Sequence, residues 1–312
     1  MAVAKSGGKR IRVAGVLLYS LYAVMVFLVG MAVTFPVADV TGRVAALVKS
    51  HTGWQVDGVG PHWRPPASLY FSGMNIESPG GTGLGVRDLR LNAALGGLSD
   101  GNIQVDHGFG VYGGRVEGLL EATDMNTNEP GFRWKGTVDG LSLADMPLPP
   151  PGVPLAPWAE GVGFTGKASL SGQTAWRGED AARGNGSANI TLSELSVSLP
   201  KAPMGTLELP FGEVTGRLTW QRGRVDIADL SIQGSLVSGR GQGTVLVGRT
   251  PQTSRIDLRL IGAIEPNFPY RGFITSLLKS SGDEMTVTVK GTLARPMLYV
   301  NGKTINQIMA GG

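Results

Sequence analysis

The sequence predicts a mainly β protein, in which an N-terminal transmembrane helix and a short amphipathic helix precede an elongated, twisted antiparallel β domain built from two meander repeats. Three observations predict this fold class: an uncharged apolar run near the N-terminus, a period-two alternation of apolar and polar residues through most of the remainder, and a high glycine content. Glycine makes up 48 of the 312 residues, about twice its usual share of ~7%. Since each interior glycine costs a helix about 1 kcal/mol relative to alanine, this composition disfavours a helical body.

Residues 13–34 form a run of 22 residues without a charge and predict a membrane-spanning helix. At about 1.5 Å per residue such a helix spans ~33 Å, which matches a hydrocarbon core of ~30 Å. The preceding stub, residues 1–12, carries the cations Lys5, Lys9, Arg10 and Arg12. Because positive charge flanks the cytoplasmic end of a span, these four residues determine the topology, with the N-terminus in the cytoplasm and the remainder outside.

A cleaved signal peptide is the competing interpretation, because Gly30-Met31-Ala32 resembles a cleavage site with small residues. The apolar core of a signal peptide is usually only 7–15 residues long, so the longer run favours a retained anchor. Both interpretations carry the rest of the chain across the membrane.

Residues 36–53 predict a short amphipathic helix, since Val37, Val40, Val44, Leu47 and Val48 recur at helical spacing. Pro36 separates this helix from the span, and Gly53 is its expected end. The helix either caps one end of the β domain or lies on the lipid surface.

Residues 54–145 predict a first β-meander and residues 159–312 a second, joined by the proline-rich strap of residues 146–158. Alternation is clear in Ile103–Val111 and again in Met285–Val289, and Gly101–Leu120 resembles Gly223–Val245 as a faint internal repeat. Glycine-containing pairs such as Arg222-Gly223 mark turns between the strands. The strap is typical of extended polyproline and cannot join a central strand.

The alternation slips by one residue at two places, after Leu192 and after Ile227. A β-bulge at each slip would insert one extra residue and so keep the same face of the strand apolar. We therefore expect one bulge in each of these two strands.

The sequence lacks the motifs of catalysis, metal binding and cofactor binding, so we expect a protein that is not an enzyme and has no cofactor. The absence of cysteine excludes thiolate chemistry, and of the three histidines, His51, His62 and His107, the first two lack a neighbouring carboxylate or third ligand at metal-site spacing. A hydrolase using Asp106 and His107 is the weakest of the hypotheses, because a histidine at an apolar strand position is usually structural. The net charge of +4 resides entirely in the basic stub, so no nucleic-acid partner is expected.

The candidate site is the apolar side of the predicted sheet. Its expected residues are Val105, Phe109, Trp134, Leu218, Trp220, Val287 and Val289. With few helices to cover it, this side either closes as a sandwich or barrel and forms a core, or stays open as a groove for a lipid or a protein partner.

The closing stretch Met285–Asn301, with its Gly291-Thr292-Leu293-x-x-Pro296 ending, resembles the last strand of protein N of the bacterial type II secretion system. The basic stub, the single span and the glycine-rich β domain resemble the same family. We expect Pro296 to end one strand, so that Leu298, Tyr299 and Val300 begin a short edge segment.

This resemblance implies a single-pass protein of the bacterial inner membrane with its C-terminal domain in the periplasm. It implies a non-catalytic subunit of the type II protein secretion machinery, which contacts other secretion subunits in the inner membrane and periplasm, and the lipid bilayer. The same features also resemble the AsmA-like envelope proteins, and on that alternative the chain is a lipid-binding or lipid-transfer module with an apolar β groove.

Overall fold

The computed structural model describes most of the chain beyond residue 40. The described residues are 41–43, 45–46, 49–50, 53–64, 67–77, 83–94, 96, 100–127, 129–146, 161–178, 184–202, 205–248, 253–266, 268, 271, 284–304 and 307. The predicted span over residues 13–34 and its basic stub lie outside this set, as does nearly all of the strap over residues 146–158.

Sixteen strands make up the described fold, and most follow one another through short connections, whereas residues 143–162 and 265–283 form two long ones. The strands are β1 Gln55–Val59, β2 His62–Arg64, β3 Ser68–Glu77, β4 Gly83–Ala94, β5 Ile103–Val111, β6 Gly114–Thr123, β7 Gly131–Ser142, β8 Gly163–Arg177, β9 Asn185–Ala202, β10 Gly205–Gln221, β11 Arg224–Gln233, β12 Val237–Leu246, β13 Arg255–Ile264, β14 Glu284–Thr292, β15 Arg295–Val300 and β16 Lys303–Thr304.

All sixteen strands belong to one antiparallel sheet, and from β3 onward each strand pairs with the next one in the chain. The fold class is therefore mainly antiparallel β, as the alternation predicts. β7 pairs directly with β8, so the sheet continues without interruption across the connection that contains the proline-rich strap.

β1 and β2 form one interrupted edge strand, because both pair with β3 in a single register. Gly60 and Pro61 lie between them, and Gly60 has a φ of 62° that favours glycine. Proline lacks the N–H that a ladder requires, so it is tolerated at an edge. The interruption is held by the Ser72 hydroxyl, which donates to the Val59 carbonyl at 3.0 Å.

The tightest connections are two-residue turns in which both central residues have positive φ. Arg222 and Gly223 have φ values of 50° and 80°, and Tyr112 and Gly113 have values of 45° and 74°. This is the geometry of type I′ hairpin turns, whose twist matches that of the flanking strands. The turn expected at Arg222-Gly223 is confirmed.

Both predicted β-bulges are confirmed. The pairing of β11 with β12 shifts between Ile227 and Leu230, where Asp229 has a φ of 53°. The β9 ladder shifts around Glu194, which has a φ of 55°. In each case one extra residue restores the apolar alternation to the same face.

The most buried cluster lies at the β3–β4 end of the sheet, where Phe71, Val86 and Leu89 pack together. Leu69, Met74, Ile76, Leu84, Leu91 and Phe109 pack around them. Outside this cluster the buried apolar side chains among the described residues are Val111, Ala122, Ala188, Val214, Ile264 and Phe268, and no described side chain is fully buried. The described strands thus form a single layer with one small core. The extensive contacts between described strands are those between strands adjacent in the sheet.

Two details refine the predictions at the ends of the chain. Residues 41–43, 45–46 and 49–50 are helical, and the Gly53 N–H donates to the Lys49 carbonyl at 2.9 Å with a φ of 75° at Gly53.

Pro296 lies within β15, opposite Gly291, and does not end a strand as expected. β16 pairs only with Tyr299 and Val300, so at Pro296 the side of β15 that faces away from β14 has no partner among the described strands. A backbone N–H is not needed on that side, and proline, which lacks one, is tolerated there.

Candidate functional site: the apolar face of the sheet

The seven predicted residues lie on one face of the sheet, in three neighbouring rows that cross the strands. We call this side the apolar face. Strand pairing places Val105, Trp134 and Trp220 in the first row. Leu218 and Val289 share the second row. Phe109 and Val287 belong to the third, which crosses the bulge at Asp229.

The rows are apolar along most of their length because each strand contributes every second residue to the same face. The second row runs from β3 to β15 through Leu69, Leu91, His107, Gly118, Gly136, Gly172, Ala188, Leu218, Ile227, Gly243, Leu258, Val289 and Leu298. Leucine, isoleucine and valine occupy most of the two ends of this row, glycine and alanine fill its middle from Gly118 to Ala188, and His107 is its one ionisable member.

All seven predicted residues are half-buried, neither exposed nor withdrawn into a core. A closed two-layer core would bury such side chains almost completely, because protein interiors are close-packed. These side chains are half-buried because the strands form a single layer. Each side chain is covered by its neighbours in the row, and no described strand lies over it. Among the described residues the apolar face is therefore open.

Glycines on the apolar face lie beneath large side chains, either of their own strand, as Gly136 does, or of a neighbouring strand, as Gly118 and Gly186 do. A Cβ added to Gly136 would lie 2.6 Å from Cζ2 of Trp134, and one added to Gly118 would lie 2.9 Å from its Nε1. A Cβ on Gly186 would overlap the Trp220 ring. The missing side chains thus allow both tryptophans to lie flat across the adjacent strand.

The indole N–H of Trp134 donates to Nε2 of His107 at 3.0 Å. Since Nε2 accepts this bond, the neutral ring carries its proton on Nδ1. The His107 ring also lies 6.4 Å from Phe109 and 6.3 Å from Trp134, measured between ring centroids. His107 is therefore a packed, hydrogen-bonded member of the face, as expected of a histidine at an apolar strand position.

Asp106 and His107 point to opposite faces of β5, because successive side chains alternate along a strand. The two groups consequently do not form an acid–base dyad, and the geometry gives no support to a hydrolase built on them. Among the described residues no group of three potential metal ligands comes together.

A second tryptophan, later in the chain, repeats the arrangement. The Trp220 indole N–H reaches back across Gly186 to the Thr174 hydroxyl at 3.3 Å. Beside it, Phe132 and Trp176 stack with ring centroids 5.2 Å apart. Together with Trp134 these rings form an aromatic cluster on the apolar face of β7 to β10, at one end of these strands. The alternation pattern predicted the tryptophans on this face but carried no signal for the glycine beneath each of them.

The described helical residues contain no segment long and apolar enough to cross a membrane. The topology-determining residues Lys5, Lys9, Arg10 and Arg12 lie outside the described part of the chain.

Comparisons with known proteins give no significant match. No protein-family model matches the chain, no curated protein matches its sequence, and no solved structure matches its fold.

Proposed function

We propose that this chain is a non-catalytic binding module that works by contact, with the open apolar face of its sheet as the binding surface. The observation that carries the proposal is that most apolar side chains of that face from β5 to β14, including all seven predicted residues, stay half-buried in a single layer of strands, whereas Val111, Val214 and Ile264 among them are buried. Contiguous apolar surface of this extent is rarely left exposed on a protein that acts alone, and it usually marks a site of interaction.

We further propose that the module is an inner-membrane-anchored periplasmic subunit of the type II protein secretion machinery. Three features support this: the resemblance of Met285–Asn301, the predicted span over residues 13–34 with its basic stub, and the glycine-rich β body. In this proposal the amphipathic helix over residues 36–53 links the span to the sheet, and the two meander repeats form its two halves. Its partners are other secretion subunits and the lipid bilayer.

The second candidate is a lipid-binding or lipid-transfer module, which a specific observation favours. The apolar rows continue across successive strands with glycines that keep the surface low, as a channel for acyl chains would require. On this candidate the occupant of the apolar face is lipid, and no secretion subunit is needed.

A carboxylate placed on the apolar face tests both candidates. We suggest Val105→Asp and Val287→Asp in the full-length chain, with Thr288→Asp as the matched control, because Thr288 is adjacent to Val287 on the opposite face of β14. Folding is followed by circular dichroism and thermal melting. Bound molecules are identified by mass spectrometry of lipids and by cross-linking in membranes followed by pull-down.

The proposal predicts that both apolar-face variants stay folded and lose their occupant, while Thr288→Asp keeps it. Loss of secretion subunits from the pull-down supports the first candidate, and loss of co-purified lipid supports the second. Unfolding of Val105→Asp and Val287→Asp, with Thr288→Asp intact, would show that the face is a closed core and would refute the binding proposal.

A further inference from the structure

The opposite face of the sheet carries a groove that the binding proposal does not use. We call it the polar groove; it has a volume of about 820 Å³ and crosses β4 to β10. A twisted sheet is saddle-shaped, so each of its faces is concave along one diagonal. Glycine and serine line the middle of the polar groove, among them Gly108, Ser171 and Ser187, and leave room between the longer side chains at its sides.

The polar groove is lined by four cations, Arg90, Arg115, Lys135 and Arg217, against two carboxylates, Asp106 and Glu117. Beyond the basic stub the chain as a whole carries equal numbers of acidic and basic residues, so a positive excess at one place is a local feature. Among the lining side chains cations exceed carboxylates by two, and Asp229, which lies beside Arg217 just outside the lining, leaves a local excess of one positive charge.

Two of the four cations already form ion pairs, and two do not among the described residues. Arg115 pairs with Glu117, and Arg217 lies 3.6 Å from Asp229. Arg90 and Lys135 are exposed and have no ion pair or hydrogen bond with another described side chain. These two residues lie at one end and near the middle of the groove, where an anionic ligand would supply the missing partners.

The neutral side chains of the groove are suited to pair with peptide groups. Asn92, Gln173 and Asn189 line it, and a side-chain amide offers one donor and one acceptor in the arrangement of a backbone amide. No aromatic side chain other than that of His107, which turns to the apolar face, belongs to the lining, so sugar rings find no surface for stacking.

The length of the groove fits a short extended segment. Arg90 and Arg217 are six ladder steps apart in one row, which corresponds to about 29 Å at ~4.8 Å per strand. An extended chain covers that span with about nine residues at ~3.3 Å each.

We propose that the polar groove binds an extended acidic peptide segment of a partner protein, with its carboxylates on Arg90 and Lys135 and its backbone on the side-chain amides. This inference does not depend on the apolar face, since the two sites lie on opposite sides of the sheet. A protein that bound lipid on one face would still bind an acidic segment on the other.

The test is the binding of a fluorescein-labelled nonapeptide that alternates Asp and Glu with Ser, followed by fluorescence anisotropy with the full-length chain. The comparison peptide replaces each Asp and Glu by Asn and Gln. The variant is Arg90→Glu with Lys135→Glu. Its matched control is Arg240→Glu with Arg259→Glu, which makes the same charge change at exposed positions of the same face, outside the groove.

We expect the acidic peptide to bind, the neutral peptide to bind at least tenfold more weakly, and the groove variant to lose affinity about tenfold. The control variant keeps most of its affinity, and binding weakens with salt, because these charges are exposed and screened. Asn92→Ala with Gln173→Ala, which alters no charge, should weaken binding several-fold.

Equal loss in the groove and control variants would overturn the proposal, since it would show attraction by net charge alone. Equal binding of the neutral peptide would also overturn it. Polygalacturonate is the competing probe: tighter binding of this acidic glycan than of the peptide, with the same loss in the groove variant, would assign the groove to glycans and refute the peptide. Variants of the apolar face, such as Val287→Asp, should leave peptide binding unchanged.

Discussion

The glycine beneath Trp134 gives a direct test of how the apolar face is built. In Gly136→Ala, the new Cβ would lie 2.6 Å from Trp134 Cζ2 and 2.5 Å from the Glu117 carbonyl oxygen, so the indole must move off the strand. Overpacking of this kind costs about 1–3 kcal/mol, and loss of the bond from Trp134 to His107 removes about 0.5–1.5 kcal/mol. Replacing a strand glycine by alanine returns about 0.5–1 kcal/mol.

The net expectation is a loss of about 1–3 kcal/mol in the free energy of unfolding, measured by urea denaturation followed by tryptophan fluorescence. Gly85→Ala is the control, because its Cβ meets nothing closer than 4.0 Å and the substitution should be neutral or slightly stabilising. If Gly136→Ala proved as stable as Gly85→Ala, the tryptophan could not lie over Gly136 as described.

Two further predictions concern other parts of the sheet. The Tyr70 hydroxyl donates to Asp88 at 2.7 Å, and this bond raises the pKa of the phenol above its usual 10.0. The bond's contribution to stability is complete below pH 10 and is lost as the pH rises through the raised pKa of the folded state. Ultraviolet titration should therefore find a lower Tyr70 pKa in Asp88→Asn, and an unchanged titration would contradict the bond. Glu194 holds a φ of 55° in its bulge, so Glu194→Gly should stabilise the fold by about 1 kcal/mol in denaturant melts while Glu194→Val destabilises it; the reverse order would argue against a left-handed bulge residue.

The strands and the face of each residue could be predicted from the sequence, because alternation directly reports which side chains share a face. On that basis Val105, Trp134 and Val287 are predicted to lie on the apolar side of the sheet. The bulges near Glu194 and Asp229 could be predicted as well, since a slip in alternation has few other physical solutions. These features depend on local pattern alone.

The features that local pattern could not supply depend on pairing between distant strands. Alternation in β7 and β8 does not reveal that these strands pair across the proline-rich connection, since pairing is a non-local property. The places of Gly118 beneath Trp134 and of Gly186 beneath Trp220, and the gathering of Arg90 and Lys135 into one groove, depend on register. Whether the apolar face is open depends on what covers it, and periodicity is the same for a closed core and an open surface.

Accessibility of the apolar face is the most direct test of the central claim, and the chain is suited to it because it contains no cysteine. We suggest single cysteines at Val287 on the apolar face, at Thr288 on the opposite face and at the buried Val214, which is 8% exposed, in the purified full-length chain. Reaction with a water-soluble maleimide is timed by mass spectrometry. An open face predicts that Val287→Cys reacts at a rate close to that of Thr288→Cys once bound lipid has been exchanged out on a hydrophobic resin. A rate as slow as that of Val214→Cys, before and after lipid removal, would contradict it.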